Sequence, residues 1–311
     1  MDILTDWTAE KSDKFQKEIV LFQHGLEQSG LFTDDALIEL MDKHPANQID
    51  VCTMSDPDHP IYPNHFRTGD FRDAGGKVLL KAAQAERVFI NLRKVMNMHP
   101  EYKALLEKMY GDLAAKTGNR TFNAHGGILI SSPISQTPYH FDKTETILWH
   151  VRGVKSVYIY PRTQKFIPDH AYEAALTDNL KDDLPYTRKF DQEAFIHDLQ
   201  PGEAISWPHA SPHRVDNKTF CVSVTTEYST RATGMKNAAM LTNATLRHRF
   251  GIDTSYAVDG KTTRYMKSIF GRVMKKAKFT PDTTDPDLVT FKIDPSNPAF
   301  VTDIEPFERN F

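Results

Sequence analysis

Residues 137–142 read Thr137-Pro138-Tyr139-His140-Phe141-Asp142, and a second stretch runs from Pro201-Gly202-Glu203 through Trp207-Pro208 to His213. Side chains two apart on a β-strand point to the same face, so an extended His140-Phe141-Asp142 aims an imidazole and a carboxylate at one point. A third ligand from a distant strand completes a two-His-one-carboxylate metal site. His213 is the candidate for it.

Such a facial triad leaves adjacent positions on iron(II) open for a bidentate cosubstrate and dioxygen. The triplet alone is weak, because a chain with 13 histidines yields about one H-x-[DE] by chance. His99-Pro100-Glu101 is one such decoy: Pro100 suits a helical first turn and Glu101 the helix dipole. His209 and His213 stand four apart, as in a helical zinc pair, but Pro208 and Pro212 exclude a helix there, so His209 reads as a loop residue. His125, His150, His170 and His197 have no partner at ligand spacing and read as core or surface. No G-x-G-x-x-G, Walker A loop or G-x-S-x-G elbow occurs.

Working outward, the chain around the triad is extended. Ile128–Ile130, Thr146–Val151, Val154–Tyr160, Ala204–Trp207 and Phe220–Thr226 are short β-branched or aromatic runs divided by Gly and Pro, which predicts an antiparallel β core. Arg152-Gly153 supplies a tight turn, and the polar segment 162–198 reads as an insertion between strands. Upstream, Phe15, Ile19, Phe22 and Leu26 mark one helical face, with further helices expected from Thr33, over 80–96 and over 100–116. Residues 55–76, rich in Pro and Gly, read as a long irregular loop and a candidate lid. Downstream, Met235, Ala239, Thr242, Leu246 and Phe250 form one helical stripe and Tyr265, Ile269, Phe270, Val273 and Met274 another, before an extended tail from Pro281. The expected organisation is an N-terminal helical region over 1–120, a β core over 121–231 and C-terminal helices with a tail over 232–311.

The chain of 311 residues carries 38 basic and 41 acidic side chains. No global field draws it to nucleic acid or anionic lipid, so direct nucleic-acid binding is not expected. The basic residues around Lys261–Lys278 read as a solvated helix face. With only Cys52 and Cys221, no apolar run of membrane length and an acidic rather than basic start, the chain reads as cytoplasmic and not membrane-bound.

Three stretches over about residues 127–228 resemble the JmjC oxygenases of the cupin-like superfamily, most nearly the asparaginyl hydroxylase that acts on hypoxia-inducible factor. Thr137–Asp142 is similar to the family's T-P-x-H-x-D and Arg152-Gly153-Val154-Lys155 to its K-G-x-K. Pro201-Gly202-Glu203, Trp207-Pro208 and His213 resemble its P-G-D, I-P and second ligand histidine. Arg152 stands in place of Lys and Glu203 in place of Asp. The resemblance implies an α+β fold: a double-stranded β-helix (jelly-roll, cupin-like) barrel with an N-terminal helical scaffold and C-terminal helices. It implies Fe(II) on His140, Asp142 and His213, the catalytic residues, with 2-oxoglutarate as cosubstrate and O2 as oxidant. Thr137 and Lys155 would hold the distal carboxylate of 2-oxoglutarate, with a further contact at Thr225 or Thr226 left open.

Lys155 points the same way on physical grounds. It alternates with Val157 and Ile159, and an inward ammonium demands an anion. The implied reaction oxidises a substrate C–H bond, by default to a hydroxyl, while 2-oxoglutarate becomes succinate and carbon dioxide. The substrate is a peptide or protein side chain or a small metabolite. A non-catalytic cupin-like binding module and a cupin metalloenzyme without 2-oxoglutarate are the alternatives; Thr137 and Lys155 speak against the second. The two C-terminal helices offer a homodimer interface, as in the resembled hydroxylase, or else pack on their own barrel.

Overall fold

Strands begin well before the β core expected from the sequence. The computed structural model describes residues 3–54, 61, 65–85, 88–177, 184, 186–279 and 287–311. Its first part holds α1 (Ala9–Lys14), β1 (Val20–Gln23), α2 (Asp34–Lys43), β2 (Ile49–Met54), β3 (Phe66–Asp70), α3 (Gly76–Ala85), β4 (Val88–Leu92), α4 (Val95–Met98) and α5 (Pro100–Thr117). The middle holds β5 (Phe122–Ser131), β6 (Gln136–His140), β7 (Glu145–Arg152), β8 (Lys155–Ile159), α6 (Asp169–Leu176), β9 (Phe195–Leu199), β10 (Glu203–Ser206), β11 (His213–Asn217) and β12 (Cys221–Ser229). α7 (Arg231–Phe250), α8 (Lys261–Lys276), β13 (Leu288–Ile293) and β14 (Val301–Glu308) follow.

Among the described residues these strands form two sheets, one of ten strands in the order β1-β10-β7-β12-β5-β4-β2-β3-β13-β14 and one of four in the order β6-β11-β8-β9. Alternation along β7 shows how they are placed. Ile147, Trp149 and Val151 join an apolar cluster that packs the large sheet against Leu37, Leu79 and Met109 of α2, α3 and α5. Leu148, between them, joins a second cluster in which Ile205 and Trp207 meet Val157, Ile159, Leu199 and Val215 of the small sheet. The two sheets therefore face each other across an apolar layer. Gly153 makes the β7–β8 turn at φ 86°, and a Cβ there would meet the Phe220 carbonyl oxygen at 2.1 Å.

Residues 1–120 are not helical alone: beside α1 to α5 they contribute β1 to β4 to the ten-stranded sheet. The helical face expected over Phe15–Leu26 is interrupted after α1: Gln16 has a φ of 65°, and β1 pairs antiparallel with β10, Phe22 opposite Ala204. The helix expected over 80–96 divides into α3 and β4, where Val88, Ile90 and Leu92 are fully buried at alternate positions. In both places an apolar period of two adjoined a helical stripe and was counted into it. The 162–198 segment is more than an insertion, since β9 extends the small sheet beside β8. Within the expected loop, β3 occupies Phe66–Asp70, while 55–60 and 62–64, and with them the lid, lie outside the described residues. The tail from Pro281 is described from residue 287, where β13 and β14 form an antiparallel pair.

α7 and α8 form where expected. Thr230 and Thr233 make a reciprocal capping box at the start of α7, and Gly251 ends it in the left-handed conformation. α8 packs on α7 through Ser268, Gly271 and Met274. Of the stripe read on α8, Met274 is buried, whereas Tyr265, Ile269, Phe270 and Val273 are 43–58% exposed. No helix among the described residues is long and apolar enough to cross a membrane.

Candidate metal centre

β6 and β11 pair antiparallel with His140 opposite His213 and Thr137 opposite Val215. Two positions along β11 therefore match three along β6, and this bulge turns Thr137 and His140 to the same face, where strict alternation would oppose them. On the other side of β11, Ile159 lies opposite His213, Val157 opposite Val215 and Lys155 opposite Asn217. Val157, Ile159 and Val215 belong to the apolar layer between the sheets. Thr137, His140, Lys155 and His213 thus share the inner face of the small sheet.

The chain leaves β6 at His140 and carries Asp142 back towards both imidazoles. His140 Nε2 is 3.8 Å from Asp142 Oδ1 and His213 Nε2 is 3.6 Å from Asp142 Oδ2. One ligand atom from each residue lies within 4.8 Å of the others. Each ring faces a carbonyl with its other nitrogen: His140 Nδ1 donates to Pro138 O at 2.7 Å and His213 Nδ1 to Ser211 O at 3.1 Å. Those protons leave both Nε2 lone pairs free for a metal, the arrangement in which carbonyls orient ligand histidines. Trp207 packs on His213 with ring centroids 4.5 Å apart. Burial, the largest cause, and the neighbouring His140 push the His213 pKa down, which favours the neutral ring that a ligand must have. His140 is the most open of the three, its side chain 40% exposed against 5% for His213. The site opens to solvent on that side.

Lys155 is 2% exposed, and no described residue offers its ammonium a hydrogen bond or an ion pair. Burial lowers its pKa. An uncompensated buried ammonium is costly, so the position calls for an anion. Thr146 Oγ1, on the inward parity of β7, and Asn217 Oδ1, opposite Lys155, are also buried without partners. A three-ligand metal site with unpaired polar groups behind it fits a metal and a small dicarboxylate held together. Of the two threonines left open, Thr226 Oγ1 accepts from Trp149 Nε1 at 2.8 Å on the far face of the sheet. Thr225 pairs with Leu148 and faces the interior.

Sequence reasoning missed the residues that hold the Asp142 segment. The carbonyl of Lys143 accepts from Asn237 Nδ2 at 2.7 Å and lies 3.1 Å from His209 Nε2. Tyr172 donates to Asn237 Oδ1 at 2.6 Å, and its ring stacks on Phe141 with centroids 4.8 Å apart. Asn237 lies 94 positions from Lys143, and no local pattern marks such a bond. The decoys fall elsewhere: His99 faces His44, Nε2 to Nδ1 at 3.1 Å, and His150 is held by Ser223 and the Gly153 carbonyl.

No known family profile matches the chain, and no curated protein matches it in sequence. Solved structures are similar in fold. Escherichia coli ycfD superposes with a TM-score of 0.50 at 14% identity, over 88% of this chain and 68% of that one. The structure of YcfD, a ribosomal oxygenase from Escherichia coli, in complex with cobalt and 2-oxoglutarate gives a TM-score of 0.50 at 14% identity, over 88% of this chain and 67% of that one. The chain shares its fold with this oxygenase.

Proposed function

We propose that this protein is an iron(II)- and 2-oxoglutarate-dependent oxygenase of the JmjC type. His140, Asp142 and His213 are the metal ligands, and Thr137 and Lys155 anchor the distal carboxylate of 2-oxoglutarate. The observation that carries the reading is the meeting, on one sheet face, of three convergent ligand atoms with a buried, unpartnered ammonium. A metal site that used no 2-oxoglutarate would need the first and not the second. The two facing sheets are, on this reading, the halves of a double-stranded β-helix barrel.

When bound, iron(II), 2-oxoglutarate and O2 supply the oxidation: the cosubstrate leaves as succinate and carbon dioxide while a substrate C–H becomes C–OH. The protein's own part is positional. The Pro138 and Ser211 carbonyls hold both imidazoles with Nε2 inward. The apolar layer around Val157, Val215 and Trp207 keeps the rear of the site dry. Lys155 and Thr137 fix one end of the cosubstrate, which converts its encounter with the metal into a positioned one. The open side at His140 admits the substrate. Fold likeness to a ribosomal oxygenase supports a protein side chain over a free metabolite, and hydroxylation is the default outcome of this chemistry. Two free, buried cysteines suit a cytoplasmic setting. The exposed Ile269, Phe270 and Val273 stripe of α8 supports a homodimer, and a monomer in sedimentation would remove that part.

Turnover tests the function. Purified protein with iron(II), 2-oxoglutarate and O2 should form succinate slowly even without substrate, and Asp142→Ala should abolish this. Metal-loaded wild type that forms none overturns the reading.

A further inference from the structure

A cavity of about 540 Å3 lies between the end of α1, the end of α5, the start of β7, the first turns of α7 and the loop residues Arg162, His209 and Tyr256. Its walls include Gln16, Thr117, Glu145, Thr230, Lys236 and Tyr256. Glu145 has the parity of Ile147 and Trp149 and lies opposite Tyr228, all of the cluster behind the sheet, so it faces away from the triad.

Three charged groups lining this cavity, Glu145, Lys236 and Arg162, have bonding capacity that the described residues leave unused. Glu145 is 4% exposed, and its Oε2 is buried with no hydrogen-bond partner. Burial pushes its pKa up to about 7. Lys236, half-buried on α7, has only the Tyr172 ring against its ammonium, at 4.7 Å, and burial lowers its pKa to about 8. Arg162 donates through Nη1 to the His209 carbonyl at 2.9 Å, and its other nitrogens bond no described residue. Glu145 lowers its own cost through the charges of Arg162 and Lys236, yet neither comes within ion-pair distance of it. A self-sufficient structure would bring the half-buried Lys236 or the exposed Arg162 onto Glu145, because leaving a buried carboxyl group without a partner costs free energy. The exposed Asp13 and Lys17 add one charge of each sign at the outer wall.

We infer that this cavity binds a small zwitterion of the α-amino-acid class, its carboxylate held by Lys236 and Arg162 and its ammonium by Glu145. The volume lies within the range of small-molecule sites. A simple dianion fits less well, since it would press against Glu145. The cavity adjoins the scaffold of the Asp142 segment, since His209 lines it and Lys236 lies against Tyr172, but none of the three metal ligands lines it.

Calorimetric titration of the metal-free protein with each common L-α-amino acid, and with inorganic phosphate, tests it. At least one amino acid should bind with one-to-one stoichiometry. Its N-acetyl and its amide derivatives should each bind about tenfold or more weakly, as should the wild-type ligand to Glu145→Gln and Lys236→Met. Asp142→Ala should bind it as wild type does, which separates this claim from the oxygenase reading. Iron(II) binding by Glu145→Gln and Lys236→Met should match wild type and report that both fold. No amino-acid binding at about 10 mM, binding of phosphate alone, or binding undiminished in both variants overturns the inference and leaves a water-filled or anion-binding cleft.

Discussion

Asn237, on α7, donates a 2.7 Å hydrogen bond to the carbonyl of Lys143, the residue that follows Asp142. Tyr172 holds the other end of the same amide. The carboxylate of the triad, unlike the two histidines, sits beyond the end of a strand, so its position depends on this side-chain scaffold. Asn237→Leu keeps the volume and removes the donor. It should weaken iron(II) affinity by about tenfold, the lower range for outer partners of metal ligands, while circular dichroism is unchanged. Asn237→Gln should recover part of the loss. An unchanged metal affinity in Asn237→Leu would show that the strand exit alone places Asp142.

The contrast between the histidines and this scaffold marks what a sequence discloses. His140 and Asp142 were legible because a two-residue period on an extended segment is a local pattern, and Lys155 because a lysine among apolar alternating residues is conspicuous. Thr137 was less so: it shares the face of His140 only through the bulge opposite His213 and Val215, which strand parity does not reveal. β1 and β4 were hidden because their alternation adjoined helical stripes, and Asn237 because its bond spans 94 positions of the chain.

Gly271 governs the α7–α8 contact. A Cβ on it would lie 1.9 Å from the backbone carbonyl oxygen of Ala238, and backbone cannot step aside as a flexible side chain can. Gly271→Ala gains a little helix propensity and must push the helices apart, and overpacking of this kind costs about 1–3 kcal/mol. A fall in thermal midpoint is expected; a rise would mean the helices separate freely.

Acid should destabilise the metal-free protein. Burial, the largest cause in each case, pushes the pKa values of His24, His150 and His209 from 6.5 to about 4, about 3 and about 4. Unfolded, these rings take up protons below about pH 6.5; folded, they do so only near pH 4 and lower. The unfolded state binds more protons across that window, so stability falls as pH drops through it. His44, His99 and His213, lowered by burial too, add to the effect, and Glu145, raised to about 7, opposes it together with Glu173 and His125, which are raised as well. Urea midpoints measured from pH 6.5 to 4 should decline, and a flat series would contradict the burial of these rings.

The central claim is that one pocket holds iron(II) and 2-oxoglutarate together. Adding iron(II) and then 2-oxoglutarate to the apoprotein without oxygen should produce a visible metal-to-ligand charge-transfer band, absent in Asp142→Ala and weakened in Lys155→Ala. Bound iron with no band on adding 2-oxoglutarate to wild type would contradict it.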